Sequence, residues 1–350
     1  MKIINFDKAA TTPLHPVAKL AFLQACQGNP SSAHALGRAA REELELARST
    51  IAGCLNCEPG EVYFTSGATE SCNWMVKCLR VESDGIIYND TVHHAVSEFI
   101  HAYPSPNAPR STPSAILSLV NNETGEINDA DAFCRRFRPL RIGLDATAAV
   151  GHIPVDFKAL GADYMAFGGH KFGAPKGIGA LIVRSGDPIR PIVYGGAQEC
   201  GMRGGTTPVP LAAAMAAALA WHTNHSEKTM PIVGSVRGTL VRSLRENGVD
   251  FMDNLSPFAL NAPHILSLRF PGVYGASLAA ALSDMGIMVS TGSACSSGSN
   301  SPSEVLLAAG LTSEEALSTI RFSFDYDNTP DEARAVAAAI AQLIPSLKHD

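Results

Sequence analysis

GGHKFGAPKGIGAL, residues Gly168–Leu181, joins two apolar runs, DYMAFGG before it and GALIVR after it, through a glycine-rich turn that carries His170 and Lys171. Short apolar runs that end in small or polar residues read as buried strands. Working outward, EVYFTSG, GIIYND, AILSLVNN and RIGLDATAA have the same character, and amphipathic patterns such as REELELARSTIAGCL, from Arg41, lie between several of them. This alternation predicts an α/β domain with a mostly parallel sheet. In such sheets ligands sit beyond the carboxyl ends of the strands, which is where Gly67, Asn122, Asp145 and the pair His170–Lys171 fall.

At 350 residues, 46% of them apolar and 17% charged, the chain is long enough for a large core and two domains. A net charge of −6 without a Lys/Arg-rich run argues against a nucleic-acid or acidic-membrane partner. The N-terminus lacks a signal peptide's apolar run, and PLAAAMAAALAW is too short and alanine-rich to span a bilayer, so a cytoplasmic protein is expected. The eight cysteines are then expected to be reduced. Cys54 and Cys57 have CxxC spacing, but no second pair completes a zinc site and no metal is expected.

After the alanine run near 210–222, the polar segment HTNHSEKTMP suggests a boundary. Beyond it HILSLRF and STIRFSF read as strands, residues of about 275–285 and 302–309 as helices, and TPDE opens a final alanine-rich helix. The expected division is a large domain over 15–225 and a smaller α+β domain from 1–14 and 226–350.

Four places carry chemistry. In FTSGATES, Phe64–Ser71, a strand runs into a helix start, where the amides of Gly67, Ala68 and Thr69 with the hydroxyls of Ser66 and Thr69 would cradle a phosphate. Lys171 at a strand end is what a pyridoxal phosphate site requires, an amine with a fixed approach to an aldehyde. Asp145 ends another strand, where a carboxylate can pair with a pyridinium nitrogen. A fourth feature is STGSACSSGS, Ser290–Ser299, in which Cys295 stands among glycine, serine, threonine and alanine. Such neighbours cannot bury a thiol, so a solvent-reachable working cysteine is expected.

From Phe6 to Phe324 the chain resembles the pyridoxal-phosphate-dependent cysteine desulfurases of the iron–sulfur-cluster and nitrogenase type, within the class V aminotransferase superfamily. The resemblance rests on FDKAATTP, GNPSSAHALGRAAR, FTSGATES, HHAV, VNNETG, LDAT, GGHKFGAPKGIGAL, QECGMRGGT, STGSACSSGS and IRFSF, in that order. It implies the aminotransferase-like fold (fold type I). It also implies that Lys171 binds the cofactor aldehyde, Asp145 the pyridine nitrogen, and His93 the ring face. Thr69, its neighbouring amides and His170 would hold the phosphate. Thr206 would reach the phosphate of the neighbouring subunit of a homodimer. Arg321, with Asn122 beside it, would take the carboxylate of L-cysteine as a bidentate pair.

In the mechanism so implied, Lys171 removes the α-proton and the Cys295 thiolate takes the substrate sulfur as a persulfide, leaving alanine. A sulfur-acceptor protein, unidentified, would receive it for iron–sulfur clusters or thio-cofactors. The family pattern is not followed throughout. Ala148 stands where a glutamine is usual, Gly168 where many members have serine, Lys8 follows the aspartate of the first motif, and the segment 97–118 is short. These departures keep two alternatives open. One is a class V aminotransferase or β-eliminating lyase acting on another amino acid, and the other is a non-catalytic sulfur carrier or regulatory relative.

Overall fold

The computed structural model describes residues 3–81, 83, 85–102, 113–255, 258–292 and 301–348. In chain order the first elements are β1 (Ile4–Asn5), α1 (Pro16–Gln24), α2 (Ala35–Leu55), β2 (Val62–Thr65), α3 (Ala68–Val81), β3 (Ile86–Ile87), α4 (His94–Ala102) and β4 (Ser114–Ser118). Then come α5 (Ala130–Phe137), β5 (Ile142–Asp145), α6 (Phe157–Leu160), β6 (Tyr164–Gly168), β7 (Gly179–Val183) and α7 (Val209–Glu246). The last are β8 (Met252–Asp253), β9 (Ile265–Arg269), α8 (Gly275–Asp284), β10 (Ile287–Met288), α9 (Glu304–Ala308), α10 (Ser313–Leu317), β11 (Thr319–Ser323) and α11 (Pro330–Leu347).

The chain divides into two compact units. The larger comprises Pro13–Leu119 and Asn128–Asn224; the smaller comprises Met1–Thr12, Val120–Ile127 and His225–Asp350. The division falls inside α7, because the polar segment read as a boundary is helical throughout, Pro231 included. The excursion Val120–Ile127, which the sequence division keeps in the large domain, is held by bonds within the smaller unit. Ile127 N–H donates to Leu260 O at 2.9 Å, and Ala262 N–H to Gly125 O at 2.8 Å.

The larger unit is built on a six-stranded sheet in the order β2-β7-β6-β5-β4-β3. β3, β4, β5 and β6 run parallel, and β7 is antiparallel to both its neighbours. Strands β4, β5, β6 and β7 are buried along their whole length, which is why they read as continuous apolar runs rather than alternating ones. One face is covered by α3, whose Trp74, Met75, Val76 and Leu79 are fully buried. Gly143 of β5 makes room for it, since a Cβ there would lie 2.7 Å from the Met75 sulfur.

In the smaller unit β11, β9 and β8 form an antiparallel sheet, and β1 pairs in parallel with β10. Its core packs Phe6, Phe270, Phe322 and Phe324 against Val236, Leu240 and Leu244 of α7, Leu278 and Leu282 of α8, and Val336 and Ile340 of α11. α11 opens at TPDE as anticipated, and there Thr329 and Glu332 form a capping box, each satisfying the other's backbone amide. Among the described residues no helix is long and apolar enough to cross a membrane, and no group of His, Cys, Asp and Glu side chains could hold a metal ion.

Candidate active site

Strand register builds a cradle at the carboxyl end of the large sheet. Thr65 and Gly168 both pair with Gly179, so the ends of β2 and β6 flank one glycine. No side chain fits there: a Cβ on Gly179 would lie 2.7 Å from Phe167 O and 2.8 Å from the Gly67 backbone, and one on Gly168 would lie 2.9 Å from Ala68 N. Gly67 itself has φ +155°, which an L side chain rarely adopts. The chain then enters α3, whose first-turn amides at Ala68 and Thr69 have no carbonyl acceptor within the helix. The result is a surface of bare backbone at a positive helix end, suited to an anion.

Glu70 closes that turn. Its carboxylate accepts from Ser66 N–H at 2.8 Å and from Arg203 at 3.0 and 3.3 Å. Burial pushes its pKa up, but these bonds win and hold it below the usual carboxylate range. Arg203 thereby ties the segment carrying Thr206, which is exposed, to the start of α3. A second tie is the buried pair of Arg48 with Glu199, 2.9 Å at both contacts, with Glu199 also accepting from Phe64 N–H of β2.

Lys171 lies in the single helical turn Gly169–Phe172 that follows β6. Gly173, at φ +82°, ends the turn by donating its N–H to Gly169 O. Phe172 of that turn is fully buried. His152 Nε2 lies 2.8 Å from Lys171 O. Desolvation brings the pKa of His170 down to about 4, with the charges of Lys171 and Lys176 acting in the same direction. His93 accepts from Ala95 N–H through Nδ1 at 3.0 Å and so opens α4, which puts its proton on Nε2. Burial lowers its pKa, Asp145 opposes, and Lys171 adds to the lowering. Asp145, the last residue of β5, is 7% exposed and accepts from Thr147 N–H at 2.9 Å. The Cys72 thiol of α3 sits against Asp145 and Thr147, and burial raises its pKa well above the ordinary value.

The smaller unit holds a separate set. Arg321 of β11 is 2% exposed; its Nη1 donates to Asn122 O at 2.9 Å and its Nη2 to Asp7 Oδ1 at 3.0 Å. Its buried Nε has no hydrogen-bond partner among the described residues. An orphaned guanidinium donor costs a few kcal/mol unless a ligand takes it. Lys8 is also buried, with Asp327 oxygens 2.7 Å from its ammonium.

Of the residues singled out in the sequence, Gly67, Ala68, Thr69, His93, Asp145, His170 and Lys171 gather at the carboxyl end of the large sheet. Thr206 belongs to the same unit, on its surface. Asn122 and Arg321 come together in the smaller unit, Asn122 through its backbone carbonyl. Cys295 lies outside the described residues. Asp7 and Glu123 were inside quoted motifs without a role, and His152 and Cys72 gave no pattern at all. Cys54 and Cys57 are no thiolate pair: burial raises the pKa of both, Cys57 to about 12.

The model of the family described as aminotransferase class V matches residues 4–103 and 110–336. A protein named cysteine desulfurase IscS from Serratia proteamaculans is 36% identical over 385 residues, covering 99% of this chain and 93% of its own. Another of that name, from Methanosarcina thermophila, is 31% identical over 379 residues, covering 99% and 93%. Among solved structures, a NifS-like protein superposes with a TM-score of 0.88 at 29% identity, covering 99% of this chain and all of its own. SspA in complex with cysteine gives 0.76 at 28% identity, covering 92% and 99%. With this sheet order, a lysine turn after β6 and nearly full-length relatives, the chain belongs to the class V aminotransferases and, within them, to the cysteine desulfurase family.

Proposed function

We propose that the protein converts L-cysteine to L-alanine with pyridoxal phosphate as cofactor and Cys295 as the acceptor of the sulfur. The observation that carries this reading is the gathering of Lys171, Asp145, His93 and His170 over a cradle of bare backbone. That donor set fits the cofactor group by group. The cradle at Gly67, Ala68 and Thr69, with His170, matches a phosphate; Asp145 matches a pyridinium nitrogen; the neutral His93 ring matches an aromatic face; Lys171 matches an aldehyde. Asn122 is assigned to the cofactor as well, and Thr206 to the phosphate of a second subunit, which makes the working form a homodimer.

When bound, pyridoxal phosphate supplies an electron sink at the substrate α-carbon. Arg321 takes the substrate carboxylate, its orphaned Nε completing a bidentate pair and Asp7 offsetting its charge. The Lys171 amine moves the α-proton. His93, whose pKa is lowered by burial and whose Nδ1 accepts from Ala95 N–H, is assigned to the cofactor ring face and to the proton transfers there, through Nε2. The Cys295 thiolate bonds to the substrate sulfur as the carbon–sulfur bond breaks. The electron pair of that bond stays with the carbon skeleton, which takes up a proton and leaves as alanine. The persulfide sulfur then passes to an acceptor protein, for cluster or thio-cofactor assembly. The cytoplasm is the assigned compartment, supported by seven free cysteines among the described residues.

Incubation of the protein with pyridoxal phosphate, L-cysteine and a thiol reductant tests this. Alanine and sulfide in equal amounts over many turnovers are expected; pyruvate and ammonia with the sulfide would mean β-elimination instead.

A further inference from the structure

Lys8, in the motif FDKAATTP, is 3% exposed and belongs to the smaller unit. Its ammonium donates to both oxygens of the half-exposed Asp327 at 2.7 Å. A buried ammonium is tolerated only where an anion meets it, so this pair fixes the course of the Lys8 side chain. The anchor is itself held. Asp327 sits in the turn Asp325–Asn328, closed by Asn328 N–H to Asp325 O at 3.1 Å and by Asp325 N–H to Asn328 Oδ1 at 3.0 Å. Asn328 Nδ2 reaches Asn5 O at 3.2 Å and Glu332 Oε2 of α11 at 3.3 Å.

The residue before Lys8 serves the arginine of β11. Asp7 Oδ1 accepts from Arg321 Nη2 at 3.0 Å, and Asn122 O accepts from Nη1 at 2.9 Å. These two bonds fix the guanidinium plane, and with it the Nε that completes the pair with a carboxylate. The backbone around Asp7 lies along Ser323 of β11. Ser323 N–H donates to Phe6 O at 2.7 Å and Ala9 N–H to Ser323 Oγ at 2.8 Å, but Lys8 N–H reaches Ser323 O only at 3.4 Å. Asp7 O also accepts from Ala10 N–H at 3.2 Å, which makes a turn with Lys8 at its second position. The side-chain pair of Lys8 reinforces the segment where its backbone bond is longest.

We infer that Lys8, paired with Asp327, is a positioning residue for the substrate carboxylate. The pair holds the turn at Asp7 and Lys8 against the end of β11, and so keeps Asp7 on Arg321. This rests on the desulfurase reading, in which Arg321 anchors the carboxylate of the amino acid. Without the pair the turn is free to draw Asp7 away from Nη2, and the guanidinium gains further orientations. A carboxylate then has to restore the binding one, which weakens it. Recognition of the carboxylate suffers, while that of the amine does not.

The test is titration of the pyridoxal-phosphate-loaded protein with L-alanine and, separately, with cysteamine, an amine that has no carboxylate, each followed by the change in absorbance. Lys8→Met, which keeps the stem and removes the charge, is expected to weaken L-alanine about tenfold and to leave cysteamine within about twofold. Asp327→Asn is expected to act in the same way, and Lys8→Arg to restore the wild-type affinity for L-alanine. With L-cysteine, Lys8→Met is expected to raise KM about tenfold and leave kcat within about twofold. An L-alanine affinity in Lys8→Met within about twofold of wild type would overturn the inference, as would an equal loss for cysteamine or failure of Lys8→Arg to restore binding. Wild-type protein that binds L-alanine but forms none from L-cysteine would instead sink the desulfurase reading, while the titrations would still decide the role of Lys8. No absorbance change with either ligand in the wild type would overturn both.

Discussion

His152 donates the proton on Nε2 to the backbone carbonyl of Lys171 across 2.8 Å, because a carbonyl oxygen can only accept. The ring is kept neutral by burial, which lowers its pKa to about 4; the bond to Lys171 acts against that lowering and the charge of Lys171 with it. His170, on the neighbouring residue, is likewise brought down to about 4. Both values lie below the ordinary 6.5, so as pH falls the unfolded chain takes up these protons before the folded one does. Their stabilising contribution is therefore complete above about pH 6.5 and lost as pH drops toward 4. Urea midpoints measured from pH 7.5 down to 4.5 are expected to fall, and to fall less in His152→Gln, whose amide cannot charge; equal slopes for the two proteins would contradict this.

Lys171 stands in the turn directly after the carboxyl end of β6. Lys171→Ala is expected to abolish both alanine formation and the absorbance that the protein acquires on binding pyridoxal phosphate, while leaving the circular dichroism of the fold unchanged. Retained turnover would remove Lys171 from the account.

Gly179 is the position where strand register and anion cradle meet. Gly179→Ala forces a Cβ to within 2.8 Å of the Gly67 backbone, so the cradle itself must move. A loss of about 1–3 kcal/mol in stability is expected from such overpacking. Pyridoxal phosphate, titrated by fluorescence, is expected to bind more weakly by an order of magnitude or more. Unchanged affinity would show that the cradle does not hold the phosphate.

Arg48 and Glu199 form a buried, two-pronged ion pair between α2 and the turn before Arg203. Removing one partner leaves the other charge buried, so Arg48→Ala is expected to cost about 3–5 kcal/mol, read as a lower Tm. Arg48→Met with Glu199→Gln is expected to recover part of that loss. A double variant as unstable as the sum of the singles would mean the two residues act independently.

The strands around the site were legible because burial on both faces leaves an uninterrupted apolar run, as in Ser114–Ser118 and Tyr164–Gly168. The groups proposed to hold the cofactor were legible because glycines, hydroxyls and Lys171 cluster just past those runs. Two features were not. The excursion Val120–Ile127 has no hydrophobic period; it is placed by distant partners, Leu260, Ala262 and Arg321, which no local pattern announces. α7 passes through the polar stretch and Pro231 because Val233, Val236, Leu240 and Leu244 beyond it are buried in the smaller unit, and that burial outweighs local propensity. Pairs such as Arg48–Glu199 and Lys8–Asp327 are long-range for the same reason, and become visible only once the chain is folded.

The claim that Cys295 receives the sulfur is tested most directly by stopping the loaded protein shortly after L-cysteine is added, without reductant, and weighing its peptides. One added sulfur on the peptide carrying Cys295, released by a thiol reductant and absent from Cys295→Ser, is the predicted result. Sulfide and alanine produced at the wild-type rate by Cys295→Ser, with no sulfur on that peptide in the parent protein, would contradict it.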